Sequence, residues 1–182
     1  MSGRVSRWSR ADTAPPSLMP APTPFDLTGK VALVTGTSRG LGQYFARALA
    51  RAGADLVITS RQVEMLRAFQ GEIEALGRRV LALPLDVREH ASIEAMVPAA
   101  LAHFGQIDIL VNNAGCNVRK PALDVTWDDW NLILETNLRG TFFVSQAVAR
   151  HMISRRYGRI INIGSVTCVA GYAGLGPYGA SR

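Results

Sequence analysis

The sequence contains little cysteine, has no regular pattern of metal ligands and lacks a long apolar run. Cys116 and Cys168 are the only cysteines, too few for a disulfide framework. No group of Cys, His or acidic residues has the spacing of a metal site, so no metal is predicted. No apolar run approaches the length that spans a bilayer, and no secretory segment is present. These absences predict a cytoplasmic protein with no membrane partner.

Lysine is also scarce, because only Lys30 and Lys120 are present and arginine therefore carries most of the net charge of +6. A basic protein can bind nucleic acid, but a binding face gathers its charges on one element. Here the arginines are scattered, which predicts surface charge and no nucleic-acid partner. The nucleic-acid alternative predicts salt-sensitive DNA binding that survives removal of residues 1–24.

The first residues differ in composition from the rest of the chain. Residues 1–24 are rich in Pro, Ser, Ala and Arg without periodicity, which predicts a disordered leader. An organelle-targeting segment, or a true start near Met19, are the alternatives. Residues 25–182 have the length and apolar content of one globular domain.

Five short apolar segments follow one another from Lys30 onward, separated by stretches with helical periodicity. The predicted strands lie in KVALVTG, DLVITS, RRVLALPLDV, IDILVNNAG and GRIINIGS. Strands that are apolar throughout are covered on both faces, as in parallel sheets. The alternation predicts an α/β fold with a doubly wound, Rossmann-type parallel sheet and helices on both faces.

The helical stretches have recognisable ends and faces. In LGQYFARALARAGA the apolar residues predict a helix that ends at Gly53, with Leu41, Phe45, Ala48 and Leu49 on one face. QVEMLRAFQGEIEALG and HASIEAMVPAALAHFG are predicted as the second and third helices. A long helix is predicted from the cap at Thr126 to about Tyr157.

A glycine-rich turn, TGTSRGLG, joins the first predicted strand to the first helix. Gly36 and Gly40 allow the backbone to approach a phosphate, and Gly42 allows the helix to pack closely on the sheet. The helix N-terminus offers free N–H groups to a pyrophosphate. The spacing is G-x-x-x-G-x-G, and glycine also occurs in such turns for steric reasons alone.

With these segments the chain resembles the short-chain dehydrogenase/reductase family. The family's T-G-x-x-x-G-x-G is matched by TGTSRGLG, its strand-end motif by NNAG (112–115), and its adenine-contacting aspartate by Asp86 in LDV. The resemblance covers everything after the leader. It implies a cofactor site formed by Gly36, Thr37, Ser38, Arg39, Gly40, Leu41, Gly42, Ser60, Arg61, Asp86, Val87, Asn113, Ala114, Gly115, Tyr178 and Arg182.

The end of the second strand bears on which nicotinamide dinucleotide is used. NAD-dependent members of such folds usually place an acid there, to hold the ribose 2′-hydroxyl. Here Ser60 takes that position, and Arg61 and Arg39 are available to hold a 2′-phosphate. NADP(H) is therefore the predicted cofactor, with NAD(H) possible; the alternative is that both arginines are solvated surface charges.

The chemistry implied by the resemblance is hydride transfer between NADP(H) and a ketone or secondary alcohol. A tyrosine can serve as acid or base if a cation lowers its pKa, which is otherwise near 10. Tyr178 matches the family tyrosine, and Arg182 stands where the family has lysine. Ser165 matches the serine that binds the reacting oxygen, and Asn137 the asparagine of the proton relay.

Each of these residues also has a structural alternative. Ser165 can satisfy backbone groups at a strand end, Asn137 can face solvent, and Tyr178 can be a half-buried aromatic. Arg182 differs from lysine in being planar and permanently charged, which changes any relay through an amine.

The family's sheet continues beyond the tyrosine helix, so the last strands are expected to be missing from this chain. The fifth strand is then expected to be an exposed apolar edge, and the 182-residue chain to be inactive. The alternative function is a truncated domain that retains nucleotide binding only. A homo-oligomer is expected for a full-length form, and is doubtful for this chain.

The substrate is expected to be a small carbonyl or alcohol compound. FDLTGKVALVTGTSRGLG resembles the opening of gluconate 5-dehydrogenase-type members, and members that reduce 3-oxoacyl chains begin similarly. Asn117, Arg119 and Cys168 lie in loops that face either the substrate or solvent.

Overall fold

The computed structural model describes residues 25–182, and the predicted leader lies outside the described residues. All five predicted strands form, as β1 (Val31–Val34), β2 (Asp55–Ser60), β3 (Val80–Pro84), β4 (Ile109–Asn112) and β5 (Arg159–Asn162). The α-helices are α1 (Leu41–Arg51), α2 (Arg67–Ala75), α3 (His90–Phe104), α4 (Trp127–Leu134), α5 (Gly140–Arg155) and α6 (Gly176–Ser181).

The strands form one parallel sheet in the order β3-β2-β1-β4-β5, which confirms the predicted doubly wound architecture. The strand order changes direction at β1: β2 and β3 lie on one side of β1, and β4 and β5 lie on the other. Loops that leave β1 and β4 diverge there and open a crevice at the carboxyl edge of the sheet. The glycine-rich turn and NNAG border this crevice.

Successive strand residues contribute to two separate cores, one on each face of the sheet. Leu33 and Leu110 belong to the core that packs against α3 and α5. Val34 and Ile58 belong to the core that packs against α1 and α2. Because both faces are buried, β1 is apolar at every position, and β2 and β4 carry polar residues only toward their ends.

The helix α1 forms as predicted, but the face that carries its large apolar residues is not the face that is buried. Leu41 is 60% exposed and Ala48 is exposed, whereas the buried residues are Gly42, Ala46 and Ala50. Phe45 and Leu49, the remaining predicted residues, pack at the margin of the core. Small side chains face the sheet because α1 lies close to it, so the large apolar residues are turned to the sides.

The predicted long helix is divided into three parts. Thr126 caps α4 as predicted, since its hydroxyl accepts the Asp129 N–H at 3.1 Å and Asp129 accepts the Thr126 N–H at 3.0 Å. The hydrogen bond from the Lys120 ammonium, followed by the bonds to Thr126, lowers the pKa of the Asp129 carboxyl to about 2. A π-helical turn, Glu135–Arg139, then joins α4 to α5. Similarly, the predicted second helix begins as a 3-10 turn, Val63–Leu66, before α2.

Strand β5 lies at the edge of the sheet and pairs only with β4 among residues 25–182. Ile160 and Ile161 are 40% and 46% exposed, as expected for an uncovered apolar edge. The helices of this described range include none that is long and apolar enough to cross a bilayer.

A polar cluster lies where the strands begin, at the end of the sheet opposite the carboxyl edge. Asp108 is fully buried; its carboxylate accepts the Val31 N–H at 2.9 Å and pairs with Arg155 at 2.8 Å. The neighbouring His151 accepts the Ile107 N–H through Nε2 at 3.3 Å. Burial, followed by the positive charge of Arg155, lowers the pKa of His151 below its usual 6.5.

This lowered pKa predicts that stability depends on His151 in mildly acidic solution. His151 binds a proton more readily in the unfolded chain than in the folded one. The stability gained from its neutral imidazole is therefore present above pH 6.5 and declines as pH falls below that value. His151→Gln keeps an acceptor for Ile107 and removes the titrating group. We expect the variant to lose less stability than the wild type between about pH 7 and 5, measured by urea unfolding. His103→Gln, at an exposed histidine, is the matched control and should leave the pH slope unchanged; an unchanged slope in His151→Gln would contradict the assignment.

Candidate active site

The glycine-rich turn has the backbone conformation and close packing that its sequence predicts. Gly36 and Gly40 have φ angles of +69° and +66°, which L side chains rarely adopt. A Cβ on Gly36 would lie 2.9 Å from Ala114 Cα, and one on Gly42 would collide with the Gly36 carbonyl oxygen. Glycine at these positions therefore allows α1 and the end of β4 to approach the turn.

The NNAG segment fixes this turn through hydrogen bonds. The Asn113 amide donates to the carbonyl oxygens of Thr35 and Gly36, at 2.9 and 3.0 Å. In return, the buried Thr35 hydroxyl accepts the N–H groups of Asn113 and Ala114, at 3.0 and 2.9 Å. The loops after β1 and β4 are thus held together as one unit.

A cleft of about 450 Å³ opens above these loops at the crevice of the sheet. Its volume lies in the range of small-molecule and cofactor sites. Most of the predicted cofactor residues line it, namely Gly36, Ser38, Arg39, Gly40, Leu41, Ser60, Arg61, Asp86, Val87, Asn113, Ala114 and Gly115.

Four predicted cofactor residues do not line the cleft. Thr37 is fully buried beneath it and donates its hydroxyl to the Thr59 carbonyl at 3.2 Å. Gly42 packs under the turn, and Tyr178 and Arg182 lie beyond the lining.

Five lining residues were missed by the sequence analysis: Leu85, Arg88, Cys116, Leu132 and Thr136. Leu85 is the first residue of LDV, and Arg88 and Cys116 directly follow LDV and NNAG, so the motifs would have identified these three. Leu132 and Thr136 come from α4 and the π-helical turn, and no sequence signal marks them.

Charge is distributed unevenly around the cleft. Among residues 25–182, Asp86 is the only acid in the lining, and Arg88 binds it with Nη2 at 2.8 Å and Nε at 3.1 Å. These bonds lower the pKa of Asp86. Arg39 and Arg61 are exposed and take part in no ion pair within residues 25–182. This side of the cleft therefore carries positive charge.

Asn137 lies in the π-helical turn and is buried, which contradicts the solvent-facing alternative. Its Oδ1 accepts the Cys116 N–H at 2.8 Å, and its Nδ2 donates to the Cys116 carbonyl and the Ser181 hydroxyl, both at 2.9 Å. Asn137 thus connects the loop after NNAG to α6.

Ser165 directly precedes a short 3-10 turn, Val166–Cys168, which contacts α6. Its hydroxyl oxygen accepts the Thr167 N–H at 3.2 Å and the Thr167 hydroxyl at 2.8 Å. Gly179 of α6 packs so closely on this turn that a Cβ would lie 2.9 Å from the Thr167 carbonyl oxygen. Tyr178, half-buried, therefore lies on a helix that is held by two contacts, one at Gly179 and one at Ser181.

The Arg182 guanidinium lies at the carboxyl ends of β4 and β5. Its Nη1 donates to the Ile163 carbonyl at 3.1 Å, and its Nη2 to the Ala114 and Asn113 carbonyls at 3.3 and 3.4 Å. Its Cζ is 5.8 Å from the centre of the Tyr178 ring. The cation is thus beside both NNAG and the candidate catalytic tyrosine.

The loop residues considered for substrate contact, Asn117, Arg119 and Cys168, are all exposed.

Comparison with known proteins supports a specific family. The family model described as short chain dehydrogenase matches residues 30–182. Gluconate 5-dehydrogenase from Gluconobacter oxydans (strain 621H) is 42% identical over 164 residues, which are 90% of this chain and 64% of that protein.

Solved structures give the same result. A gluconate 5-dehydrogenase from Burkholderia cenocepacia J2315, in complex with NADP and tartrate, is 43% identical with a TM-score of 0.83, over 87% of this chain and 62% of that one. An NAD+-bound xylitol dehydrogenase is 33% identical with a TM-score of 0.83, over 86% and 60%. The chain spans somewhat less than two thirds of the length of these relatives. The match over residues 30–182 shows that this chain belongs to the short-chain dehydrogenase family.

Proposed function

We propose that the full-length protein is an oxidoreductase that transfers a hydride between NADP(H) and a ketone or secondary alcohol of a small molecule. The observation that carries the proposal is the cleft at the sheet's crevice, lined by the glycine-rich turn, NNAG and LDV. Helix N-termini and glycine turns of this kind bind the pyrophosphate of a dinucleotide. Such a dinucleotide, when bound, supplies or accepts the hydride.

The chain's own residues would handle the proton. Tyr178 donates its phenolic proton to the substrate oxygen during reduction and accepts a proton during oxidation. Ser165 donates a hydrogen bond to the same oxygen, because its own oxygen accepts from Thr167 and its hydroxyl proton is therefore available. Arg182 holds its positive charge 5.8 Å from the centre of the Tyr178 ring, and Asn137 holds α6 in position through Ser181.

The preference for NADP(H) is proposed from the charges near the end of β2. Ser60 occupies the position where an acid would hold a 2′-hydroxyl, and Arg61 and Arg39 line the cleft without an acidic partner among the described residues. A 2′-phosphate would gain charge-assisted hydrogen bonds there.

Arg61→Ser tests this preference. We expect NADPH to bind about 10- to 100-fold more weakly, since one charge-assisted hydrogen bond is lost, and NADH binding to change little. Fluorescence titration of both dinucleotides measures the effect, with Arg67→Ser at an exposed arginine of α2 as control. Equal losses for both dinucleotides would contradict the assignment of Arg61.

The substrate class is proposed from the relatives: a sugar acid such as gluconate, oxidised or formed by reduction of its ketone. The test is steady-state turnover of the full-length protein with NADPH and a panel of keto acids, sugar ketones and 3-oxoacyl thioesters. Turnover supports the proposal, with the most active ketone defining the class. Dinucleotide binding without turnover of any ketone would instead indicate the nucleotide-binding domain considered above.

Assembly and location belong to the same proposal. The large apolar side chains exposed on α4 and α5, such as Trp127 and Phe142, support a homo-oligomer of the full-length protein. The unpaired thiols of Cys116 and Cys168 support a reducing compartment such as the cytoplasm. Sedimentation of the full-length protein would test its assembly.

A further inference from the structure

We propose that Arg88 determines cofactor specificity as a positioning residue: by binding Asp86 it leaves Arg61 free for a 2′-phosphate. The inference rests on the proposed function, because it concerns the same dinucleotide site.

Arg61 and Asp86 are neighbours at the carboxyl edge of the sheet. Strands β2 and β3 are paired with Ser60 opposite Pro84, and the Leu85 N–H donates to the Ser60 carbonyl at 2.9 Å. Arg61 follows Ser60 directly, and Asp86 follows Leu85 directly. Both line the cleft, so an acid stands beside the arginine proposed to bind phosphate.

Arg88 occupies both oxygens of the Asp86 carboxylate. Oδ1 accepts the Arg88 backbone N–H at 3.0 Å and its Nε at 3.1 Å, while Oδ2 accepts Nη2 at 2.8 Å. The Asp86 backbone N–H donates to Ser92 Oγ at 3.0 Å, which fixes the backbone that carries the acid. One Oδ2 lone pair remains, sufficient for an adenine amino group and too little to also bind a guanidinium fork.

Arg61 nevertheless lies within electrostatic reach of this carboxylate. The pKa of Asp86 is lowered chiefly by the hydrogen bonds from Arg88, and the charge of Arg61 adds a smaller lowering. Arg61 makes no ion pair within the described part of the chain. Arg88 therefore competes with Arg61 for Asp86 and prevails.

Without Arg88 the balance of charge changes. The freed Asp86 carboxylate would pair with Arg61 and would also repel a 2′-phosphate. A 2′-hydroxyl carries no charge, so NADH binding would be far less affected. Arg88 thus acts on specificity without touching the phosphate itself.

The test uses the full-length protein and the dissociation constants of NADPH and NADH. Arg88→Gln should lower the preference for NADPH over NADH by about 10-fold, through weaker NADPH binding. The double variant Asp86→Asn/Arg88→Gln removes the competing acid and should restore the wild-type preference within about 3-fold. Arg150→Gln, at an exposed arginine of α5, is the control and should leave the preference unchanged.

A purely structural role for Arg88 gives a different result, because it would weaken both dinucleotides equally and the double variant would not recover. Either outcome overturns the inference. If Arg88→Gln does not fold, Arg88→Lys replaces it, and an intermediate preference is expected because lysine cannot form the fork. An unchanged preference in Arg88→Lys would then overturn the inference.

The inference and the proposed function fail in distinguishable ways. If the wild type binds neither dinucleotide, the proposed function itself fails. If the wild type prefers NADPH and Arg88→Gln does so equally, only the inference fails. A wild type without preference for NADPH also overturns the inference, since Arg88 would then have nothing to protect.

Discussion

Replacing Tyr178 with phenylalanine in the full-length protein should lower kcat by about 1,000-fold, the contribution of a well-placed general acid. The ring remains, so the contacts of α6 with Ser165's turn and with Asn137 through Ser181 are preserved. Only the phenolic hydroxyl is removed, and with it the proton that is transferred. The dissociation constant of NADPH should therefore change by less than about 3-fold.

The control for this prediction is Tyr157→Phe. Tyr157 follows α5 at the opposite edge of the sheet, where Lys30 lies 4.1 Å from its ring centre. The kcat of Tyr157→Phe should equal that of the wild type. If Tyr178→Phe retains a tenth or more of wild-type kcat, Tyr178 is not the acid and the proposed mechanism is wrong.

Gly42→Ala should damage both the fold and the cofactor site, because the position has no room for a methyl group. The added Cβ would collide with the Gly36 carbonyl and lie 2.6 Å from the Asn113 amide nitrogen. Backbone cannot yield as a flexible side chain can, so α1 must move away from the turn. We expect a stability loss of about 1–3 kcal/mol, as for other overpacked sites.

The displacement of α1 should also weaken NADPH binding by about 10-fold or more, since the helix N-terminus no longer aligns with the pyrophosphate. Gly71→Ala is the matched control. Gly71 lies within α2, and nothing is within 4 Å of its hypothetical Cβ. Alanine there should raise stability by up to about 1 kcal/mol and leave NADPH affinity unchanged. Equal behaviour of the two variants, in urea unfolding and titration, would contradict the packing described for the turn.

Arg182 illustrates why the family pattern cannot be transferred without the structure. A lysine ammonium is compact and can lose a proton, whereas the guanidinium is planar and permanently charged. Here its two terminal nitrogens reach carbonyls on both β4 and β5 loops, at Ile163 and Ala114. The group therefore also ties the two strand ends together, a role that the sequence motif alone does not indicate.

The strands and the glycine-rich turn were predictable because their signals are local. Apolar segments such as VALV are short and are closed by glycine, and a positive φ at Gly36 follows from the demands of a tight strand-to-helix turn. Parallel order then follows from the alternation of strands and helices. These features need no knowledge of distant contacts.

The face of α1 and the division of the long helix were not predictable in this way. Hydropathy places Leu41 on the apolar face of α1, yet the closeness of helix and sheet favours Gly42 and Ala46 at the buried positions. The π-helical turn turns Asn137 inward toward Cys116 and Ser181, and those partners are distant in sequence. Such features depend on tertiary packing, which periodicity does not record.

The most direct test of the account is to titrate the full-length wild-type protein with NADPH and with NADH, following nicotinamide fluorescence. The cleft predicts saturable binding of both, and the proposed roles of Arg39 and Arg61, which line it, predict that NADPH binds more tightly through its 2′-phosphate. Absence of saturable binding for either dinucleotide would contradict the central claim that this cleft is a nicotinamide-dinucleotide site.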